Sequence, residues 1–167
     1  MSVLEGIGIE DFREFLAKNR WPSIAREFLE GQKPAKDVCE SFSTHWIEAG
    51  HRIREQLLDD RLLVRLLRHL LPPYKGPTIK LFRGENIQRL NVGKVGMAWS
   101  SDIKVARMFG QGWNSVPDGG VLLCAEFEPV AIISGPVGHT GWLGEDQFTV
   151  DPFMKTGFQT MEQYPES

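Results

Sequence analysis

A change of texture at residues 72–77, PPYKGP, constrains this chain more than any other feature. Before it, apolar residues recur at helical spacing. After it, short apolar runs rich in Val, Ile and Phe are separated by glycine. Two consecutive prolines end the last helical stretch, because proline lacks the N–H that the helix ladder needs.

The first half reads as four helical stretches. GIEDFREFLAKN places Ile9, Phe12, Phe15 and Leu16 on one face. RWPSIAREFLEG follows, with Pro22 in a first turn and Gly31 as a stop. PAKDVCESFSTHWIEAGHRIREQLL carries Val38, Phe42, Trp46 and Ile53 near helical spacing, with Gly50 weakening its middle. DDRLLVRLLRHLLPP is a compact apolar helix with Asp59 or Asp60 as its cap.

The second half reads as β-like runs: TIKLFRG, GMAWSS, GGVLLCAEFEP, VAIISGP and QFTVDP. One helix, DIKVARMFG, lies among them, with Asp102 as its N-cap and Ala106 and Phe109 turned inward. Helices first and strands second predict an α+β fold. The expected division is a helical region over 1–73, forming a layer packed on a β core over 74–167, with the whole compatible with one compact unit.

The 167 residues suit one domain, or one domain with a helical extension, and 41% apolar content is enough for a core. A net charge of −3 argues against a nucleic-acid binder that relies on a broad basic surface. Cys39 and Cys124 are far apart and read as buried free thiols of a reducing compartment. The first residues, MSVLEGIGIEDF, lack a basic and then apolar leader, and no apolar run approaches the ~20 residues of a bilayer span. The expectation is a cytoplasmic protein with no membrane partner, or one delivered into a target cell without a cleaved signal peptide.

Three polar features stand at strand ends. In KLFRGEN, Arg83 ends an apolar run and Gly84 would let a ligand approach the backbone; a guanidinium there suits phosphate. In GMAWSSDIKVARMFG, Ser100 and Ser101 join a strand to a helix. In GWLGEDQFTVDP, alternation puts Glu145, Gln147 and Thr149 on one face and Phe148 and Val150 on the other. Each has an ordinary reading: a turn, a helix cap, a solvated edge. Their order is more informative than any one of them.

In that order the chain resembles the ADP-ribosyltransferase superfamily, in its Arg–Ser–Glu branch. That pattern has an Arg on the first strand, a Ser-rich motif between the second strand and a helix, and a Glu/Gln-x-Glu motif where a loop meets a late strand. Arg83, WSSD and GEDQ fill these places, over about residues 78–152. The resemblance implies a cleft between two small sheets that binds NAD as co-substrate, without a metal, and breaks its nicotinamide–ribose bond. Arg83 and Gly84 would meet the NAD phosphates or ribose. Ser100 or Ser101 would hydrogen-bond the group at 147. Phe109 and Trp113 are candidates to pack on nicotinamide, with core or loop anchoring as the ordinary reading. His139 and Trp142 fall in the loop that would present an acceptor, a protein or, as an open alternative, a nucleic acid.

The motif departs from the family where it matters most. Its second carboxylate, the catalytic one, is replaced by Gln147, while Glu145 holds the first position. An amide can bond a ribose hydroxyl but supplies no charge, a loss on the order of 10²–10³ in rate. Three explanations stay open: a native glutamate altered to Gln, an NAD-binding protein without cleavage, or a shifted register in which Glu145 is catalytic. The leading expectation is a mono-ADP-ribosyltransferase of toxin or effector type with a core near 74–154. NAD glycohydrolysis is the same-cleft variant. A silent NAD-binding or protein-interaction module is the alternative from another class. His45 and His51, six residues apart, do not have metal-pair spacing, and no phosphate-loop motif is present. The Arg61, Arg65 and Arg68 face reads as solvated, with docking of an acidic partner, nucleotide or nucleic acid as the minority reading.

Overall fold

The computed structural model describes residues 4–136, 146–155 and 157–166. These divide into two compact units, the division falling after Pro73.

The first unit holds α1 (Ile9–Ala17), α2 (Trp21–Glu30), α3 (Lys36–Leu57) and α4 (Asp60–Leu70). Its apolar stripes meet in an aromatic centre. Phe12 stacks on Trp21 and His45 and meets Phe42 edge-on. α4 buries Leu62, Leu63, Val64, Leu66, Leu67 and Leu70, and leaves Arg61, Arg65 and Arg68 exposed. Asp59 caps it by accepting from the Leu62 N–H. α3 kinks at Ala49, whose φ is −141°. The neighbouring Gly50 lies under the Trp46 indole, where an added Cβ would come within 3.0 Å of the ring.

The second unit holds β1 (Ile79–Asn86), α5 (Ile87–Asn91), β2 (Ala98–Ser100), α6 (Ile103–Gln111), β3 (Gly120–Phe127), β4 (Ile132–Ser134), β5 (Gln147–Val150) and β6 (Gln159–Tyr164). The strands form an antiparallel sheet in the order β4-β5-β2-β1-β3-β6. Every β1 residue pairs with β3, from Ile79 opposite Phe127 to Asn86 opposite Gly120. The β1–β2 join is a single pair, Phe82 opposite Ser100. The described strands thus form one six-stranded sheet rather than two small ones.

One sheet face carries the core: Leu81, Trp99, Val121, Leu123, Phe127, Ile132, Phe148 and Val150. The other face receives α6 through three glycines. A Cβ on Gly84 would stand 2.1 Å from the Ala106 carbonyl oxygen and the Gly110 nitrogen; one on Gly120 would stand 1.9 Å from the Gly110 oxygen. The inward residues of α6 are thus Ala106 and Gly110. Phe109, expected to point inward, is 43% exposed, because the bare helix backbone already lies against the strands. Cys39 and Cys124 are both buried free thiols. Among the described residues no helix is long and apolar enough to cross a membrane.

Candidate functional site

The order of the sheet places β5, β2 and β1 side by side, so three motifs separated in sequence lie on three adjacent strands. β2 and β5 pair with Ala98 opposite Thr149, Trp99 opposite Phe148 and Ser100 opposite Gln147. Directly opposed residues share a face. Trp99 and Phe148 enter the core, so Ser100 and Gln147 stand on the other side.

At the mouth of this pair, the turn after β2 grips the residue before β5. The Ser100 hydroxyl donates to Asp146 Oδ2. The Ser101 hydroxyl donates to Oδ1 at 2.5 Å, and the Asp102 N–H to Oδ2 at 2.8 Å. Asp102 then caps α6, its carboxylate accepting from the Lys104 N–H at 2.9 Å. The serines therefore do orient a carboxylate, and it belongs to Asp146 rather than to position 147. Asp146 and Gln147 are both half-buried. Among the described residues no Lys, Arg or His forms an ion pair with Asp146.

Arg83 alternates to the same face as Leu81 and Glu85, away from Ser100 and Gln147. Its Nε donates to Glu85 Oε2 at 2.7 Å and its Nη1 to the Ala98 carbonyl at 2.7 Å. Its Nη2 covers Gly96, where a Cβ would come within 2.1 Å. Glu85 is fully buried and also accepts from the Gly96 and Asn86 N–H groups, both at 2.8 Å. Burial pushes the Glu85 carboxyl up, but the Arg83 charge and these hydrogen bonds outweigh it and hold the group below the ordinary carboxylate value. The Arg83 side chain is 15% exposed. The sequence suggested a strand-end cation suited to phosphate; the structure makes it the counter-ion of a buried carboxylate.

Gly84 faces α6, and its carbonyl accepts from Asn114 Nδ2 at 2.6 Å, so its missing side chain admits helix backbone. Trp113 lies in a 3₁₀ turn over Trp113–Ser115 and is 86% exposed. With Phe109, Met108 and Val116 it leaves an apolar surface at the end of α6. Glu145, His139 and Trp142 lie outside the described residues. Ser100, Ser101 and Gln147 are brought together; Arg83 and Gly84 are engaged inside the fold.

Sequence reasoning missed Asp146 and Glu85. Asp146 sits inside the quoted GEDQ motif, but the strand alternation concerns Glu145 and Gln147 and gives Asp146 no role. β5 begins at Gln147, so Asp146 belongs to a turn and is free of that alternation. Two surface concavities lie elsewhere on this unit. One, of about 460 Å³, is lined by Lys80, Cys124, Glu126, Lys155 and Gln159; the other runs beside Lys104, Arg107 and Met108. Neither contains the serines, so the candidate site rests on its chemistry rather than on its depth. No cluster of three His, Cys, Asp or Glu suited to a metal occurs among the described residues. Comparisons with protein-family models, with curated proteins and with solved structures each return no match.

Proposed function

We propose that the second unit is an NAD-cleaving, ADP-ribosyl-transferring site, with a macromolecular acceptor and a toxin or effector role. The observation that carries this reading is the convergence of the Ser100 and Ser101 hydroxyls on a carboxylate at the entrance of β5, beside a Gln147 held in register with Ser100. Breaking the nicotinamide–ribose bond develops positive charge on the ribose. A preorganised anion stabilises that charge, and hydroxyl donors fixed by a strand end keep the anion aimed. The described strands form one sheet, and the reading takes the cleft that the resemblance implies to open along the single-pair β1–β2 join.

A second reading has its own support. Arg83 is committed to Glu85, and Gln147 carries no charge, as expected of a silent NAD-binding or interaction module. Two measurements separate the readings: calorimetric titration with NAD, and release of nicotinamide by the parent chain and by Gln147→Glu. Binding together with release by at least one of them is the expected result. Binding without release by either would favour the silent module. Absence of both would remove NAD from the function.

A further inference from the structure

Resting on that reading, we propose that Asp146 is the anion that faces the ribose in this chain and supplies the charge that Gln147 lacks. Its carboxylate is held by three donors, the hydroxyls of Ser100 and Ser101 and the Asp102 N–H. All three are neutral. They orient the charge without cancelling it, and no ion pair to Asp146 occurs among the described residues. Glu85 and Glu162 in the same unit differ, being paired with Arg83 and Arg107. An anion fixed by dipoles before substrate arrives needs no reorganisation when positive charge develops, which is the condition for electrostatic catalysis.

Placement agrees with this. Ser100 and Gln147 are directly opposed, so their Cβ atoms are about 5 Å apart. Asp146 Oδ2 is bonded to Ser100 Oγ, so the carboxylate and the Gln147 amide lie on one side of the sheet mouth. A ribose hydroxyl bonded to the Gln147 amide would set the sugar beside the carboxylate. In the step, the C–N glycosidic bond breaks and its electron pair goes to the pyridinium nitrogen, so nicotinamide leaves neutral. The ribose carbon becomes an oxocarbenium beside Asp146. A water oxygen or an acceptor nucleophile then bonds to it and gives its proton to solvent.

The ordinary role for Asp146 is to tie the β2–α6 turn. Asparagine at this position keeps an oxygen for the Asp102 N–H and lets the serine hydroxyls rotate to suit, so Asp146→Asn separates charge from tie. Saturating NAD is given to the parent, to Asp146→Asn and to Gln147→Glu, and nicotinamide release, NAD affinity and thermal melting are recorded. The proposal expects release by the parent, a loss of roughly 10²–10³-fold in turnover for Asp146→Asn, and NAD affinity changed by less than about threefold. Asp146→Glu should retain more turnover than Asp146→Asn. Should Asp146→Asn not fold, Asp146→Glu and Asp146→Ala are compared in its place. Equal turnover in Asp146→Asn and the parent overturns the proposal and leaves the NAD-cleaving reading standing. So does a silent parent beside an active Gln147→Glu. No NAD binding by any of the three, with melting unchanged, removes the underlying reading and the proposal with it.

Discussion

Arg83 shows how a residue chosen for a ligand can be claimed by the fold. Its partner Glu85 has no exposure, and removing one member of a buried pair strands the other, a cost of about 3–5 kcal/mol in well-buried cases. Arg89, whose Nε is 3.8 Å from Glu85, and two backbone N–H donors soften the loss. Arg83→Ala should therefore destabilise by about 3 kcal/mol, read from denaturant unfolding. Arg83→Met with Glu85→Leu should recover much of that, because the stranded charge is gone. A neutral result for Arg83→Ala would mean that the pair adds nothing to stability. The pH dependence follows from the sign of the Glu85 shift. Its carboxyl is held below the ordinary value when folded, so its contribution is present above the unfolded value, about 4.3, and disappears as pH falls through the folded one. Glu85→Gln should flatten the stability curve in that acid window. A drop in NAD affinity in Arg83→Ala thus speaks about binding only when the protein is shown to be folded.

At the scale of elements, α6 is the piece that turns sequence into site, since its N-terminal turn carries Ser101 and Asp102 and its far end lies on Gly84 and Gly120. Gly84→Ala would drive a Cβ into backbone atoms of Ala106 and Gly110, which cannot swing aside as a long side chain can. It should cost at least the ~1–3 kcal/mol typical of overpacking and loosen the turn that grips Asp146. Gly157→Ala, with nothing within 4 Å of the added atom, is the matched control. Equal melting temperatures for the two variants would show that α6 is seated by other contacts. These elements were legible to very different degrees. α1–α4 and α6 announce themselves through apolar spacing and the caps Asp59 and Asp102. β1 and β3 do so through apolar runs. β6, QTMEQY, is polar and mostly exposed; backbone pairing to β3 makes it a strand, and no alternation marks that in the sequence. α5 is five residues long, and its one cue is the Asn86 cap, which accepts from the Gln88 and Arg89 N–H groups. In the site, Ser100, Ser101 and Gln147 followed from motif order. Asp146 and Glu85 did not, because a charge in a turn or a strand reads as solvated until its contacts are known.

At the scale of the molecule, the two units carry differently titrating cores, and this makes acid a probe that tells them apart. His45 in the first unit is 1% exposed and lies against the rings of Phe12 and Trp21, and neither of its ring nitrogens has a hydrogen-bond partner among the described residues. Burial pushes its protonation down. Glu48, 3.8 Å away, acts in the opposite direction, and the charges of Arg13 and Arg52 add to the lowering. A histidine lowered by folding binds its proton more readily in the unfolded chain. Stability is therefore full above the unfolded value, near 6.5, and falls below it until the folded value is passed, by at most about 1.4 kcal/mol per pH unit. Among the described residues of the second unit there is no histidine, and its buried acid Glu85 is held below the ordinary carboxylate value. Between about pH 6.5 and pH 5, peptides from α1–α4 should lose protection from amide exchange, corrected for the intrinsic rate, while peptides from β1 and β3 hold theirs. His45→Phe keeps a ring against Phe12 and Trp21 and carries no titrating group, so it should make the first unit insensitive to pH in that window. Parallel loss of protection in both units of the parent, or an unchanged acid response in His45→Phe, would show that another group governs the transition.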